Sequence, residues 1–179
     1  MNRRQYAAFI DALRVRAARI STGASATRGQ GRGVSQAARR FLSNLNLRYF
    51  ATSRERLFRE RLDNATRRLS RSLPRGTRSW GLARKVLNIF LREALYTSYL
   101  AEYSGIAKAE RLLEIPLDSI TAKRLRERAG RGGLPRWPGV KHLTAGDSDQ
   151  YQALARLVAS QQEMARVHLD AYWWGRRDD

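Results

Sequence analysis

Residues 80–92 read WGLARKVLNIFLR, and they predict the opening of a long helix that runs from about Leu82 to Tyr103. Apolar side chains recur there at three- and four-residue intervals, which is the spacing of one helix face. Gly81 lies in the turn before the helix, and Lys85 lies beside the apolar stripe. Only four of the 35 basic residues are lysines, at positions 85, 108, 123 and 141. A lysine amine, unlike a guanidinium, can lose its proton and attack carbon.

Length and charge restrict the classes of protein to which the chain can belong. The 179 residues fit one domain, and a hydrophobic content of 42% is enough for a buried core. The net charge of +19 predicts a polyanionic partner, and we expect a nucleic acid more than a merely solvated basic surface. Biased codon usage accounts for the choice of arginine over lysine. It does not account for 35 basic residues against 16 acidic ones.

The composition also argues against several kinds of site and location. The chain has no cysteine, which excludes disulfides, thiolate zinc sites and iron–sulfur clusters, and we expect neither a metal nor a cofactor. No apolar run approaches the roughly 18 residues that a membrane span needs. We therefore expect a soluble protein that is not inserted in a membrane and lies in the cytoplasm, associated with the nucleoid.

The pattern predicts three regions within a single helical domain, residues 1–179. Residues 1–76 form basic amphipathic helices interrupted by a flexible Gly- and Ser-rich loop at 21–34. Residues 77–129 contain a helical hairpin, and residues 130–179 a basic and aromatic loop followed by further helices. No strand is predicted.

Two further stretches contain candidate functional residues. Asp118 follows Ile-Pro-Leu at the start of a helix, where an N-cap alone explains an aspartate. Residues 167–174 read VHLDAYWW, with Asp170 four positions before Trp174. A simpler explanation for that pair is that one residue caps a helix and the other packs in the core. For Lys85, the simpler explanation is a lysine on the solvated face of a helix.

Taken together, these pieces resemble the helix-hairpin-helix superfamily of DNA glycosylases with AP lyase activity. The resemblance rests on a glycine turn before a helix-borne lysine, and on an aspartate delivered by an Ile-Pro-Leu-Asp segment. Lys85 and Asp118 are 33 positions apart, which is most similar to the archaeal 8-oxoguanine DNA glycosylase family, as is the Asp170–Trp174 segment. The chain departs from the superfamily in having one glycine in the turn instead of two, and Ile89 where an aromatic residue is expected.

The resemblance implies an all-α fold with two helical lobes and a central cleft. It implies that the protein acts as a monomer on double-stranded DNA. From this DNA it would excise a modified base, an oxidised purine such as 8-oxoguanine. Lys85 would form a Schiff base with the sugar, and Asp118 would stabilise the cationic sugar. The residues expected to bind the flipped base are Asp170, Trp174, Ile89 and Trp173. Those expected to bind the DNA backbone are Gly81, Arg84, Arg78, Arg131, Arg136 and Lys141.

Two other functions fit the same sequence. The first is an enzyme on this scaffold that acts on a hypermodified DNA base, which the unmatched N-terminal residues 1–76 permit. The second is a non-catalytic basic DNA-binding protein in which Lys85 only touches phosphate.

Overall fold

A computed structural model describes residues 1–174, except for the side chain of Trp174. This part of the chain is helical and contains no strand, which confirms the prediction of an all-α protein. The α-helices are α1 (Arg3–Ser21), α2 (Ala24–Thr27), α3 (Val34–Ser43), α4 (Glu55–Ser72), α5 (Trp80–Tyr96), α6 (Ser98–Ser104), α7 (Ser119–Ala129), α8 (Ala145–Ser160) and α9 (Leu169–Trp174). Short 3₁₀ turns lie at Leu47–Phe50, Arg75–Thr77, Ile106–Leu112, Val140–His142 and Arg166–His168. None of the helices in residues 1–174 has both the length and the apolar character that crossing a membrane requires.

Two predicted elements differ from the structure. The long helix predicted over 82–103 is divided at Thr97, whose backbone is extended with ψ at 99°. The Thr97 hydroxyl donates a hydrogen bond to the Glu93 carbonyl at 2.8 Å, which offers that carbonyl a partner outside the regular helix. The loop predicted over 21–34 contains the short helix α2, so it is more ordered than its composition indicated.

The buried apolar side chains form two clusters. The larger cluster is built mainly from α1, α3, α4, α5 and α6, and includes Phe50, Leu69, Leu87 and Phe90. The smaller cluster is built from α7, α8, α9 and the segment that precedes α7, with Tyr151 fully buried at its centre. Helix α5 lies in the larger cluster, while Trp80 in its first turn packs against the smaller one.

A buried ionic network links α4, α5 and the segment before α7. Arg84 donates two hydrogen bonds to Glu114, at 2.8 and 3.0 Å, and one to Asp63 at 2.8 Å. Asn88 donates to the same Glu114 carboxylate at 3.0 Å. Burial by itself raises the pKa of Glu114. The charge and hydrogen bonds of Arg84, with help from Arg166 and Asn88, outweigh burial and lower the pKa from 4.5 to about 2.

Removing the Glu114 charge should destabilise the fold. Because the folded-state pKa is depressed, the stabilisation by Glu114 is complete above about pH 4.5 and is lost as the pH falls towards 2. At neutral pH, Glu114→Gln leaves Arg84 buried with only Asp63 as an ionic partner. We expect the free energy of unfolding to fall by about 3 kcal/mol, measured by urea denaturation.

Glu55→Gln is the matched control. Glu55 pairs with Arg156 at 2.6 Å, but both side chains are more than half exposed, so this change should cost less than about 1 kcal/mol. Equal losses in the two variants would show that the buried network has no special role in stability.

Candidate active site

The structure brings Lys85 and Asp118 together. The Lys85 Nζ atom lies 3.7 Å from Asp118 Oδ2, although the two residues are 33 positions apart in the sequence. Lys85 is only 8% exposed, and within residues 1–174 its amine makes no hydrogen bond. A lysine amine acts as a nucleophile once it has lost its proton, and the Asp118 carboxylate is the one ion-pair partner that the described residues give Lys85.

Local structure fixes Asp118 in two ways. Its Oδ1 atom accepts hydrogen bonds from the backbone amides of Ile120 and Thr121, at 2.9 and 3.0 Å, which makes Asp118 the N-cap of α7. Its own amide donates to the Thr121 hydroxyl at 2.8 Å, which completes a capping box. Capping uses Oδ1, so Oδ2 is the oxygen that faces Lys85. The cap predicted from the sequence and the ion pair therefore coexist in one residue.

The segment before α7 is held in place by long-range contacts. Gln152 of α8 accepts a hydrogen bond from the Ile115 amide at 3.2 Å and donates one to the Ile115 carbonyl at 2.8 Å. Glu114, one residue earlier, is bound by Arg84, the neighbour of Lys85. These contacts attach the segment to α5 and α8, and so they place Asp118 opposite Lys85.

Lys85 and Asp118 line a cavity of about 340 Å³, a size typical of small-ligand sites. Four parts of the chain form its wall: the end of α1 with α2, one face of α5, the segment before α7, and the start of α9. The remaining lining residues are Ile20, Ser25, Ala26, Ile89, Arg92, Glu93, Tyr96, Pro116, Asp170 and Ala171. Of the predicted base-binding residues, Asp170 and Ile89 thus lie in the same cavity as Lys85.

A second ion pair crosses this cavity. Arg92 of α5 donates a short hydrogen bond to Asp170 Oδ2 and also pairs with Glu93 at 3.1 Å. Burial raises the pKa of Asp170 above its ordinary value of 3.8; the Arg92 charge opposes this rise and the nearby Asp118 charge adds to it. Asp170 Oδ1 accepts no hydrogen bond from the described residues, so one oxygen is left to face a ligand. Two cations, Lys85 and Arg92, and three carboxylates, Glu93, Asp118 and Asp170, therefore line the cavity.

Two predictions for the base-binding aromatic residues have different outcomes. Trp173 is 3% exposed and packs in the smaller apolar cluster, where Arg128 lies over its ring at 4.9 Å. This burial contradicts the prediction that Trp173 stacks on a flipped base, because a ring packed in the core offers no face to a ligand. The side chain of Trp174 lies outside the described part of the structure, so its predicted role stays a prediction.

Two of the predicted backbone-binding residues are buried instead of facing DNA. Arg84 is 3% exposed and its guanidinium is bound to Glu114 and Asp63. Gly81 is also buried, and a Cβ atom there would lie 2.2 Å from the Val140 carbonyl oxygen. Gly81 therefore allows the 140–143 segment to pack on the first turn of α5. The sequence showed a glycine and an arginine near a turn, but it could not show that other segments cover them.

The other four predicted backbone-binding residues are exposed: Arg78, Arg131, Arg136 and Lys141. None of them forms an ion pair with any residue in the range 1–174. Arg78 and Lys141 belong to segments that are in contact. The hydroxyl of Ser79, the residue after Arg78, donates a hydrogen bond to the Lys141 carbonyl at 3.0 Å. Ser79 also caps α5 by accepting from the Leu82 amide at 3.1 Å. Arg78 and Lys141 thus belong to segments that lie at the beginning of the helix that carries Lys85.

Sequence reasoning missed several cavity residues, and Arg92, Glu93 and Tyr96 are the most polar of them. Lys85, Ile89, Arg92 and Tyr96 recur at intervals of four, three and four, so they occupy one stripe of α5. That stripe was visible in the sequence. The contributions of Ile20, Ser25 and Ala26 were not, because they depend on how α1 and α2 fold over α5.

A different cavity, of about 250 Å³, lies between α4 and α8 and contains several charged groups. Its charged groups are already bound: Arg59 pairs with Asp149, Arg156 pairs with Glu55, and Arg166 donates to backbone carbonyls. It offers no free nucleophile, so the cavity beside Lys85 is the better candidate. Within residues 1–174 no group of three or more His, Asp or Glu side chains has the arrangement of a metal site.

The two roles of Asp118 can be separated by substitution. Asp118→Asn keeps an oxygen that can cap α7, so the free energy of unfolding should stay within about 0.5 kcal/mol of the wild-type value. Asp118→Ala removes the cap and should lower it by about 1 kcal/mol, measured by urea denaturation. Equal destabilisation by both changes would mean that the contact with Lys85, and not the cap, is the stabilising interaction.

Comparisons of the chain with protein-family models, with curated proteins and with solved structures gave no match. The chemistry of the site therefore has to be argued from its own residues.

Proposed function

We propose that this protein is a DNA glycosylase with AP lyase activity that excises a modified base, an oxidised purine such as 8-oxoguanine, through a Schiff base on Lys85. The observation that carries the proposal is the approach of the Lys85 amine to the Asp118 carboxylate at 3.7 Å, at the wall of a cavity. The two apolar clusters would correspond to the two lobes of such an enzyme, with the cavity between α5 and α9 as its base pocket.

The residues of the cavity fit a reaction that proceeds in the following steps. The neutral Lys85 amine attacks C1′ of the deoxyribose, and the bond from C1′ to the base breaks, so that the base leaves with the electron pair and takes up a proton. Asp118 stabilises the positive charge that develops on the sugar. The nitrogen lone pair then expels O4′ from C1′, and O4′ takes up the remaining amine proton, which leaves a Schiff base between C1′ and the nitrogen. Loss of a C2′ proton and departure of the 3′ phosphate cleave the strand by β-elimination.

Base extrusion gives the rest of the cavity a role. A base must leave the stack before C1′ can be attacked, at a cost of a few kcal/mol. The free oxygen of Asp170 would accept a hydrogen bond from a purine N–H group, while Arg92 holds the other oxygen. Ile89 would provide an apolar contact. The exposed cations near the beginning of α5 and in the 130–141 loop would bind the phosphates of duplex DNA, with the protein acting as a monomer.

Borohydride trapping tests the proposed nucleophile. Reduction of the Schiff base should give a covalent protein–DNA adduct with a duplex that contains an abasic site. Lys85→Gln should abolish the adduct because an amide cannot form the imine. On a duplex that contains 8-oxoguanine, Asp118→Asn should slow adduct formation by about 10²-fold, since it removes the charge that stabilises the sugar cation as the base departs. The adduct is measured by denaturing gel electrophoresis.

Lys123→Gln is the control for the trapping experiment. Lys123 is an exposed lysine of α7 that pairs only with Glu127, at 3.8 Å, so its loss should leave the adduct intact. Failure of the wild-type protein to form any adduct, with DNA binding retained, would replace the proposal by the non-catalytic DNA-binding function.

The salt dependence of DNA binding tests the proposed interface. The logarithm of the affinity should fall linearly with the logarithm of the salt concentration, and Arg131→Gln or Arg136→Gln should each reduce the slope by about one. Arg56→Gln serves as the control, because the Arg56 charge is already compensated by Glu60 at 3.1 Å. Equal slope changes in all three variants would locate the DNA contacts elsewhere. Fluorescence anisotropy with a labelled duplex gives the affinities.

A further inference from the structure

The cavity beside Lys85 is longer than one nucleobase. Lys85 and Tyr96 lie on the same stripe of α5 and both line it, and a helix rises about 16 Å over the eleven positions from Lys85 to Tyr96. If Lys85 attacks the sugar at one end, a purine ring extends only part of the way towards Tyr96. The far end of the cavity then remains for another part of the substrate.

A second cavity of about 310 Å³ begins where the first one ends. Ile20, Glu93 and Tyr96 line both, so the two cavities meet at these residues. The remaining lining residues of the second cavity are Leu13, Arg16, Ala17, Thr97 and Ser98. Together the two neighbouring cavities, called the groove below, extend from Lys85 past Arg92 and Tyr96 to Arg16 of α1.

The second cavity has the chemistry of a site for a polar or anionic group. Arg16 is exposed and forms no ion pair with the described residues, and Ser98 adds a hydroxyl group. The one carboxylate on the wall belongs to Glu93, which is already paired with Arg92 at 3.1 Å. An anion in this cavity would thus meet an uncompensated guanidinium, and charge-assisted hydrogen bonds of this kind are among the strongest in proteins.

Tyr96 is fixed at the junction of the two cavities. Its hydroxyl lies 2.9 Å from Nδ1 of His168, and Nε2 of His168 lies 2.7 Å from Glu110. The Tyr96 and His168 rings also stack, with 12° between their planes. These contacts hold the Tyr96 ring in place on the wall that the two cavities share. His168 thereby acquires a role in shaping the groove.

We propose that the groove selects a purine that carries a carboxylate- or hydroxyl-bearing substituent, with the ring beside Asp170 and the substituent in the second cavity next to Arg16. This inference rests on the proposed glycosylase function and specifies its substrate class. An unsubstituted oxidised purine would leave the second cavity empty and would gain nothing from Arg16.

The test compares borohydride adduct formation on three duplexes. One contains an abasic site, one contains 8-oxoguanine, and one contains a guanine with a carboxyethyl group on its exocyclic amine. The wild-type protein should trap the carboxyethylguanine duplex about tenfold faster than the 8-oxoguanine duplex. Arg16→Gln should remove that advantage, a loss of about tenfold, and leave the rate on the abasic duplex unchanged. Arg19→Gln is the matched control, since Arg19 is also an exposed arginine of α1 but lines neither cavity.

Each outcome bears on one of the two proposals. Trapping of the abasic duplex without a preference for carboxyethylguanine overturns the substrate class and leaves the glycosylase proposal standing. A slower reaction of Arg16→Gln on the abasic duplex, to the same degree as on carboxyethylguanine, means that Arg16 binds a phosphate of the strand, which also overturns the substrate class. Absence of any adduct on the abasic duplex rejects the glycosylase function itself.

Discussion

The buried contact between Arg84 and Glu114 is the interaction on which the candidate site depends. Arg84 is the neighbour of Lys85 on α5, and Glu114 lies four residues before Asp118, so one ion pair brings both halves of the site together. A buried pair of this kind adds little net stability compared with apolar packing, but it strongly disfavours other arrangements, because either partner alone would be a buried charge. We infer that it fixes the position of the segment that carries Asp118.

The site combines structural and chemical roles in the same residues. Asp118 caps α7 with one oxygen and faces Lys85 with the other, and Gly81 permits the close packing that covers the first turn of α5. Arg78, Arg131, Arg136 and Lys141 are exposed, while the buried Arg84 and Arg166 are bound by carboxylates or carbonyls. A protein with a net charge of +19 therefore keeps two populations of arginine, one that holds the fold and one that is free to meet a polyanion.

The length of the groove makes the size of the proposed substrate testable. In the proposed glycosylase, Lys85, Arg92 and Tyr96 would mark the places of the sugar, the base and a substituent, in that order along α5. The Arg92–Asp170 pair lies between the ends and would set the position of the base. The length of the groove is a property of how α1 lies beside α5, and it distinguishes this site from a pocket for a single small base.

The sequence by itself determined the helical class, the N-cap at Asp118, the charge excess and the identity of the residues with candidate chemistry, because these depend on local spacing and composition. The helical stripe of Lys85, Ile89, Arg92 and Tyr96 was equally readable. Only the tertiary structure decided that Arg84 and Trp173 are buried, that Lys85 and Asp118 meet, and that α1 closes a second cavity over α5. Burial and long-range pairing depend on which segments pack against one another, and residues far apart in the chain carry no local signal of that packing.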